Sequence, residues 1–227
     1  MTRIVLDDGK YEYMALPYED DPDGEEAIWE GGGYYEEAMS IADPAERAER
    51  IRLFQAAEQL YLQAAERGNV IAYLNLGYVY SYDRCEGRYW REGGDDASRP
   101  YPREERAFEC LNVAAQADIP EACYKLGDMF KHGMGCEADA NEAFRWYVRA
   151  SELSAQESPV ILGSVALRLA GCYEEGFGCE QDFELALKWY RRSVAGLDAA
   201  VDAGETWYEK ALASARAGVK RCEQEIA

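Results

Sequence analysis

The chain has 227 residues, and its 44 Asp or Glu against 24 Lys or Arg give a formal net charge of -20. That excess argues against nucleic acid as a partner, because a phosphate backbone is bound by a basic face. It works equally against an anionic membrane surface and leaves a basic protein partner open. Half of the excess lies in residues 1–40, which hold twelve Asp or Glu and only Arg3 and Lys10. No run approaches the roughly 18 apolar residues that span a bilayer, and Asp7 and Asp8 interrupt any secretory apolar stretch after MTRIVL. Seven Cys, an odd number without a CxxC pair, read as free thiols in a reducing compartment. A cytoplasmic chain without membrane insertion is the expectation.

In chain order, RIVL and KYEYMAL flank the turn signal Asp7-Asp8-Gly9 and predict a hairpin. The acidic run 19–26 reads as a solvated loop, Gly31-Gly32-Gly33 as a break, and Tyr34 to Ile41 as a short helix. Asp43-Pro44 is a helix start, an N-cap followed by proline. The helix it opens carries Ile51, Phe54, Leu60, Tyr61 and Ala64 on its apolar face and stops at Gly68. Two segments, Leu126–Ser151 and Leu169–Val194, then align without gaps at an offset of 43 residues. Gly133 matches Gly176, Gly135 matches Gly178, and Trp146-Tyr147 matches Trp189-Tyr190. A period of this size signals stacked helical hairpins. An earlier copy begins with LNLGYVYSY at Leu74, and its linker is expanded by an insertion spanning 83–103, with Tyr89, Trp90 and Tyr101. The final segment carries a helical stripe of Tyr208, Ala211, Leu212, Ala215, Val219, Cys222 and Ile226, read as a capping helix.

AAERGNVIAYLNLGYVY (64–80) resembles a junction of Sel-like repeats, a branch of the tetratricopeptide superfamily: two Ala close one helix, a short Gly turn follows, and the next helix carries Leu-Gly with an aromatic three residues on. Ala114-Ala115 through Leu126-Gly127 and Phe130 repeats it, and Gly-x-Gly at 133–135 and 176–178 matches the loop within each hairpin. The resemblance implies an all-α fold, a right-handed α-α solenoid of three to four hairpins with copies near 69–117, 119–153 and 160–196. A capping helix near 203–225 completes residues 43–227, behind an acidic segment 1–42. Independently, Gly77 and Gly127 in mid-helix each cost about 1 kcal/mol against Ala and mark places where another helix approaches. Trp146-Tyr147 and Trp189-Tyr190 read as core. A secreted, β-lactam-binding branch of the family joins successive helices by disulfides; here Cys123 matches one such place but Ala115 stands at the other, so that ladder is absent.

No catalytic residue, metal site or cofactor site emerges. The single histidine, His132, falls at a predicted helix end, and the glycine clusters lack the strand-before, helix-after context of a phosphate loop. The chain is therefore expected to be a non-enzymatic scaffold that holds a protein or peptide, either basic or bearing a free carboxylate. A binder or hydrolase of cell-wall fragments is the alternative that the resemblance brings. In tetratricopeptide-like stacks the first helix of each hairpin lines the groove. The groove positions here are Asn75, Tyr78, Ser81 and Tyr82 in the first copy, Lys125, Asp128, Lys131 and His132 in the second, and Arg168, Glu174 and Glu175 in the third. Asn75, Lys125 and Arg168 would form a polar ladder resembling a carboxylate clamp. Tyr78 and Tyr82, one turn apart, would anchor a peptide. The acidic segment 1–40 is a third candidate surface, for a basic partner or for the groove itself.

Overall fold

The computed structural model describes residues 21–89, 102–154 and 159–227 in full and 2–5 and 11–14 as backbone. Trp90 and Tyr101 of the insertion lie outside the described residues, as does the turn at Asp7–Gly9. Strands β1 (Thr2–Val5) and β2 (Tyr11–Met14) pair antiparallel, with Thr2 opposite Met14 and Val5 opposite Tyr11. Everything else regular among the described residues is helical. The chain divides into two compact units, Met1–Ala114 and Ala115–Ala227.

In the first unit, α1 (Glu25–Ser40), α2 (Arg47–Glu66) and α3 (Val70–Ser81) pack in sequence, with α2 touching both neighbours. Its middle turns are accordingly buried on every side, from Leu53 through Tyr61, the pattern of a helix with no solvent face. Glu58 is fully buried there and accepts a hydrogen bond from the Tyr80 hydroxyl at 3.1 Å. Asp43 caps a single 3-10 turn (Pro44–Glu46) that leads into α2. Helix α4 (Arg103–Gln116) follows, and its Leu111 covers Gly77 of α3, where a Cβ would stand 2.6 Å from the leucine side chain.

The reading of Gly31–Gly33 as a break is overturned: α1 runs through all three glycines. Tertiary contact and capping outweigh propensity here. Asp21, read as part of a solvated loop, is buried, and its carboxylate accepts the amides of Glu26 and Ala27 at 3.3 and 3.2 Å. It thereby satisfies donors that a helix start leaves open. Gly31 is buried against Tyr61, whose ring would lie 2.7 Å from an added Cβ. Gly32 and Gly33 differ: a Cβ at either meets nothing within 4 Å. Gly33→Ala is therefore expected to stabilise the protein by about 0.5–1 kcal/mol through helix propensity and a less free unfolded chain, seen as a higher urea midpoint; Gly31→Ala should lower it.

In the second unit, α5 (Pro120–His132) and α6 (Ala140–Ser154) form one hairpin and α7 (Pro159–Glu175) and α8 (Phe183–Asp202) the next, followed by α9 (Glu209–Ile226). Helix α7 touches both α5 and α6, and α9 touches both α7 and α8. Successive hairpins thus stack as in a solenoid, with α5, α7 and α9 in one row. The two hairpin loops repeat their chemistry. Gly133 and Gly176 take left-handed φ of 66° and 68°, ending α5 and α7 where only glycine does so without cost. Asp139 and Asp182 donate their amides to the carbonyls of Phe130 and Tyr173, and their carboxylates cap α6 and α8. Tyr147 and Tyr190 are buried, as core residues should be. Trp146 and Trp189 are only half-buried, so the aromatic quartet is core in its tyrosines alone. In α9, Leu212, Ala215 and Cys222 are buried as the stripe predicts, while Ile226 is exposed.

Candidate partner-binding site

The predicted groove residues fall into two sets. Asn75, Tyr78 and Ser81 stand on α3 with Tyr82 directly after it, in the first unit; the others stand on α5 and α7 in the second.

In the second set, the structure turns charged groove positions toward one another. The Arg168 guanidinium grips Asp128 through Nε at 2.6 Å and Nη2 at 2.5 Å, donates to the Ser164 carbonyl at 2.9 Å, and lies 4.5 Å from the Tyr124 ring. The Tyr147 hydroxyl donates to the same Asp128 at 2.8 Å; burial first, then the Asp128 charge, pushes this phenol well above its ordinary pKa. Glu174 repeats the arrangement one hairpin later. It accepts Tyr190 at 2.5 Å and Arg221 of α9 at 2.7 and 2.8 Å. The Arg221 hydrogen bonds hold its carboxyl below the usual value. Both clusters have one form: a carboxylate on one helix, a tyrosine on the second helix of its hairpin, and an arginine from the next layer. Charge-assisted bidentate pairs of this kind are among the stronger hydrogen bonds. Arg168 is thus engaged within the fold. Lys125 and Lys131 lie over the rings of Tyr124 and Phe177, at 5.5 and 5.2 Å. His132, the last residue of α5, and Glu175 are exposed.

The first set sits beside a different feature. Tyr78 and Tyr82 stack with ring centroids 5.8 Å apart and planes 7° from parallel, and Tyr82 is 49% exposed. Asp83 ends α3 in a left-handed conformation, φ 48°, which aspartate tolerates better than most residues. That turn sends the chain back so that the Arg84 amide donates to the Val79 carbonyl at 3.0 Å. The Arg84 side chain then enters an aromatic sandwich, 5.0 Å from the Tyr82 centroid and 5.5 Å from those of Tyr35 and Phe54. Its Nε donates to the Tyr35 hydroxyl at 2.9 Å. Arg84 makes no ion pair among the described residues. The neighbouring carboxylates are otherwise engaged: Asp83 accepts from Tyr89 and the Gly87 amide, Glu86 pairs with Arg47 and Arg50. Arg84, Tyr82, Phe54 and Glu86 line a hollow of about 290 Å³ with Met39 and Ile41. Ser81 offers its carbonyl to Arg103. Arg84 carries no signal in the sequence, because two of its three aromatic neighbours, Tyr35 and Phe54, come from α1 and α2, far off in the chain.

All seven cysteines are free, and burial raises every one of their thiols above the ordinary value, Cys172 to about 12. Thiols so shifted carry little nucleophilic thiolate. The Cys123 sulfur lies 3.6 Å from the Ala115 carbonyl oxygen, so the two positions that would carry a disulfide are adjacent and unlinked. Among the described residues no cluster of His, Cys, Asp or Glu could hold a metal, and no helix is long and apolar enough to cross a membrane.

The family model for the Sel1 repeat matches residues 52–69, 120–154 and 164–196, the last two covering α5–α6 and most of α7–α8. The chain carries Sel1 repeats. Over 91 residues it is 31% identical to the chitin synthase regulator SKT5 of Saccharomyces cerevisiae, covering 40% of this chain and 11% of that protein. Over 123 residues it is 28% identical to an uncharacterized Sel1-like repeat-containing protein of Schizosaccharomyces pombe, covering 52% of this chain and 18% of that protein. The chain therefore spans less than a fifth of either curated relative. A protective antigen present in uropathogenic Escherichia coli strains, described as displaying an SLR fold, superposes with a TM-score of 0.56 at 20% identity, over 90% of this chain and 38% of that one. That likeness is one of fold. The Sel1 repeat register coincides with the loops and the stacked layers of the second unit.

Proposed function

We propose that this Sel1-repeat chain is a protein-interaction scaffold whose Tyr82–Arg84 surface receives a partner segment bearing a carboxylate. Arg84 carries the reading: a guanidinium oriented by three rings, spared from any ion pair among the described residues, and opening on a hollow beside an exposed tyrosine. Arginine presents a rigid fork of donors that fits a carboxylate bidentately. The likeness to a regulator rather than to an enzyme supports a non-catalytic role. The cations of the second unit are less suited to the task, since Arg168 is already consumed by Asp128.

The test is a library of short peptides with free or amidated C-termini, measured against the protein and its Arg84→Gln and Tyr82→Ala variants. Free-carboxylate peptides are expected to be preferred. Arg84→Gln should weaken them about 10–100-fold, the worth of one charged hydrogen-bonded contact, without affecting amidated ones. Tyr82→Ala should weaken both while changing stability by no more than about 0.5 kcal/mol, as at other exposed sites. Equal binding of free and amidated peptides, or indifference to Arg84→Gln, would refute the proposal.

A further inference from the structure

We infer that the outer face of α1 docks a cationic amphipathic helix from a partner protein, on a surface separate from Arg84. Trp29 anchors it. At 84% exposure it is the most exposed large apolar side chain among the described residues. An indole held this far into water is a cost to solubility that the fold does not require, and aromatic anchors dominate binding when they are buried by a partner. One turn along the same face stands Gly33, exposed and with empty space where a Cβ would be. No neighbour among the described residues uses that flatness, whereas Gly31 is explained by Tyr61. The floor beside the indole is bare backbone, so a second helix can approach closely.

Charge names the occupant. Glu25 and Glu26 lie one turn before Trp29, and Glu36 and Glu37 one turn beyond Gly33; all four are exposed and none forms an ion pair among the described residues. Helix α1 contains no Lys or Arg. The two acidic pairs are eleven residues apart, about 16 Å along the axis. A helix with an apolar residue against Trp29 and Lys or Arg about three turns apart meets both pairs. The net charge of -20 would steer such a partner from a distance and would repel an anionic bilayer or a second copy of the chain.

The probe is an amphipathic peptide of about 18 residues, five helical turns, with leucines on one face and lysines flanking them, compared with its Glu-for-Lys counterpart. Binding to the intact chain is read by anisotropy of a labelled peptide. The lysine peptide should bind and the glutamate peptide should not. Trp29→Ala should weaken binding about 30-fold, the size of a central hot spot. Gly33→Leu, which favours the helix and leaves every charge in place, should weaken it at least about 10-fold. Glu180→Gln with Glu184→Gln, exposed acids of the second unit, should leave it unchanged, and so should Tyr82→Ala, which reports on the Arg84 surface instead. The inference is overturned if the lysine peptide fails to bind, if it binds the Trp29 and Gly33 variants as well as the parent, or if the glutamate peptide binds equally. Trp29-dependent self-association in sedimentation velocity would overturn it too, by assigning the face to a second copy.

Discussion

Asp128→Ala is expected to destabilise the protein by about 2–3 kcal/mol, because it strips a buried hydroxyl and a half-buried guanidinium of their acceptor at once. Arg168 would keep its position over Tyr124 with only the Ser164 carbonyl left to it, and the Tyr147 hydroxyl would have lost the acceptor it now meets at 2.8 Å. The pair is between the two familiar extremes: the Arg168 and Asp128 side chains are 25% and 21% exposed, so solvent screens it in part, and the cost falls below that of breaking a fully buried pair. For a chain of this length the loss corresponds to a fall in Tm of about 5–10 °C. Asp128→Asn keeps an acceptor and should cost about half as much. Arg145→Ala, which removes a surface pair within one turn of α6, should cost no more than about 0.5 kcal/mol. If Asp128→Ala behaves like Arg145→Ala in urea denaturation, the cluster does not join the layers.

How much of this could be read in the sequence depended on how local the cause was. The helix-ending glycines Gly133 and Gly176, the 43-residue register and the small residues facing Leu111 and Tyr147 are set by contacts within one hairpin, and a period exposes them; the Asp43 cap is set within its own turn. Gly31–Gly33 misleads for the opposite reason. What keeps α1 helical is Tyr61, thirty residues on, together with a buried Asp21 that composition assigns to solvent. Arg84 was hidden in the same way, since a sandwich built from α1, α2 and the end of α3 has no spacing to detect. Arg168 and Asp128 were legible as polar residues on the first helices of their hairpins. That they meet each other, and so are less open to a ligand, depends on the stagger between layers, which hydrophobic patterning leaves unspecified.

The same logic separates what the two units can offer a partner. Repeats that join their layers through a carboxylate, a tyrosine and an arginine use their inward polar positions to hold themselves together. In the first unit the corresponding helix end is held by other means. Asp83 makes the turn, Arg103 donates to the carbonyls of Tyr80 and Ser81 at 2.6 and 3.1 Å, and Glu58 takes the Tyr80 hydroxyl. Arg84 is thereby released from a structural ion pair. A scaffold gains adaptability when recognition is confined to such a locus, because the repeats can then be conserved for stacking while the locus varies.

Gly178→Ala separates the two roles a repeat glycine can play, and its effect should be the larger of any single methyl added to the loops. Gly176 and Gly178 share a left-handed φ of 68°, so an alanine at either carries about the same backbone strain, roughly 1 kcal/mol. Their surroundings differ. A Cβ at Gly176 would meet Gln181 at 3.4 Å, an ordinary contact. At Gly178 it would fall on the Ala140 carbonyl oxygen and 2.8 Å from the Cβ of Phe144, both in the first turns of α6. The second helix of the preceding hairpin begins where this loop rests, and a carbonyl in a helix cannot swing aside as a flexible side chain can. Overpacking adds about 1–3 kcal/mol, so Gly178→Ala should cost about 3 kcal/mol in all and Gly176→Ala about 1 kcal/mol. In thermal denaturation, equal losses for the two would mean that the loop lifts freely from α6 and that its second glycine serves only the turn. The expected gap of about 2 kcal/mol would mean that it sets the distance between layers.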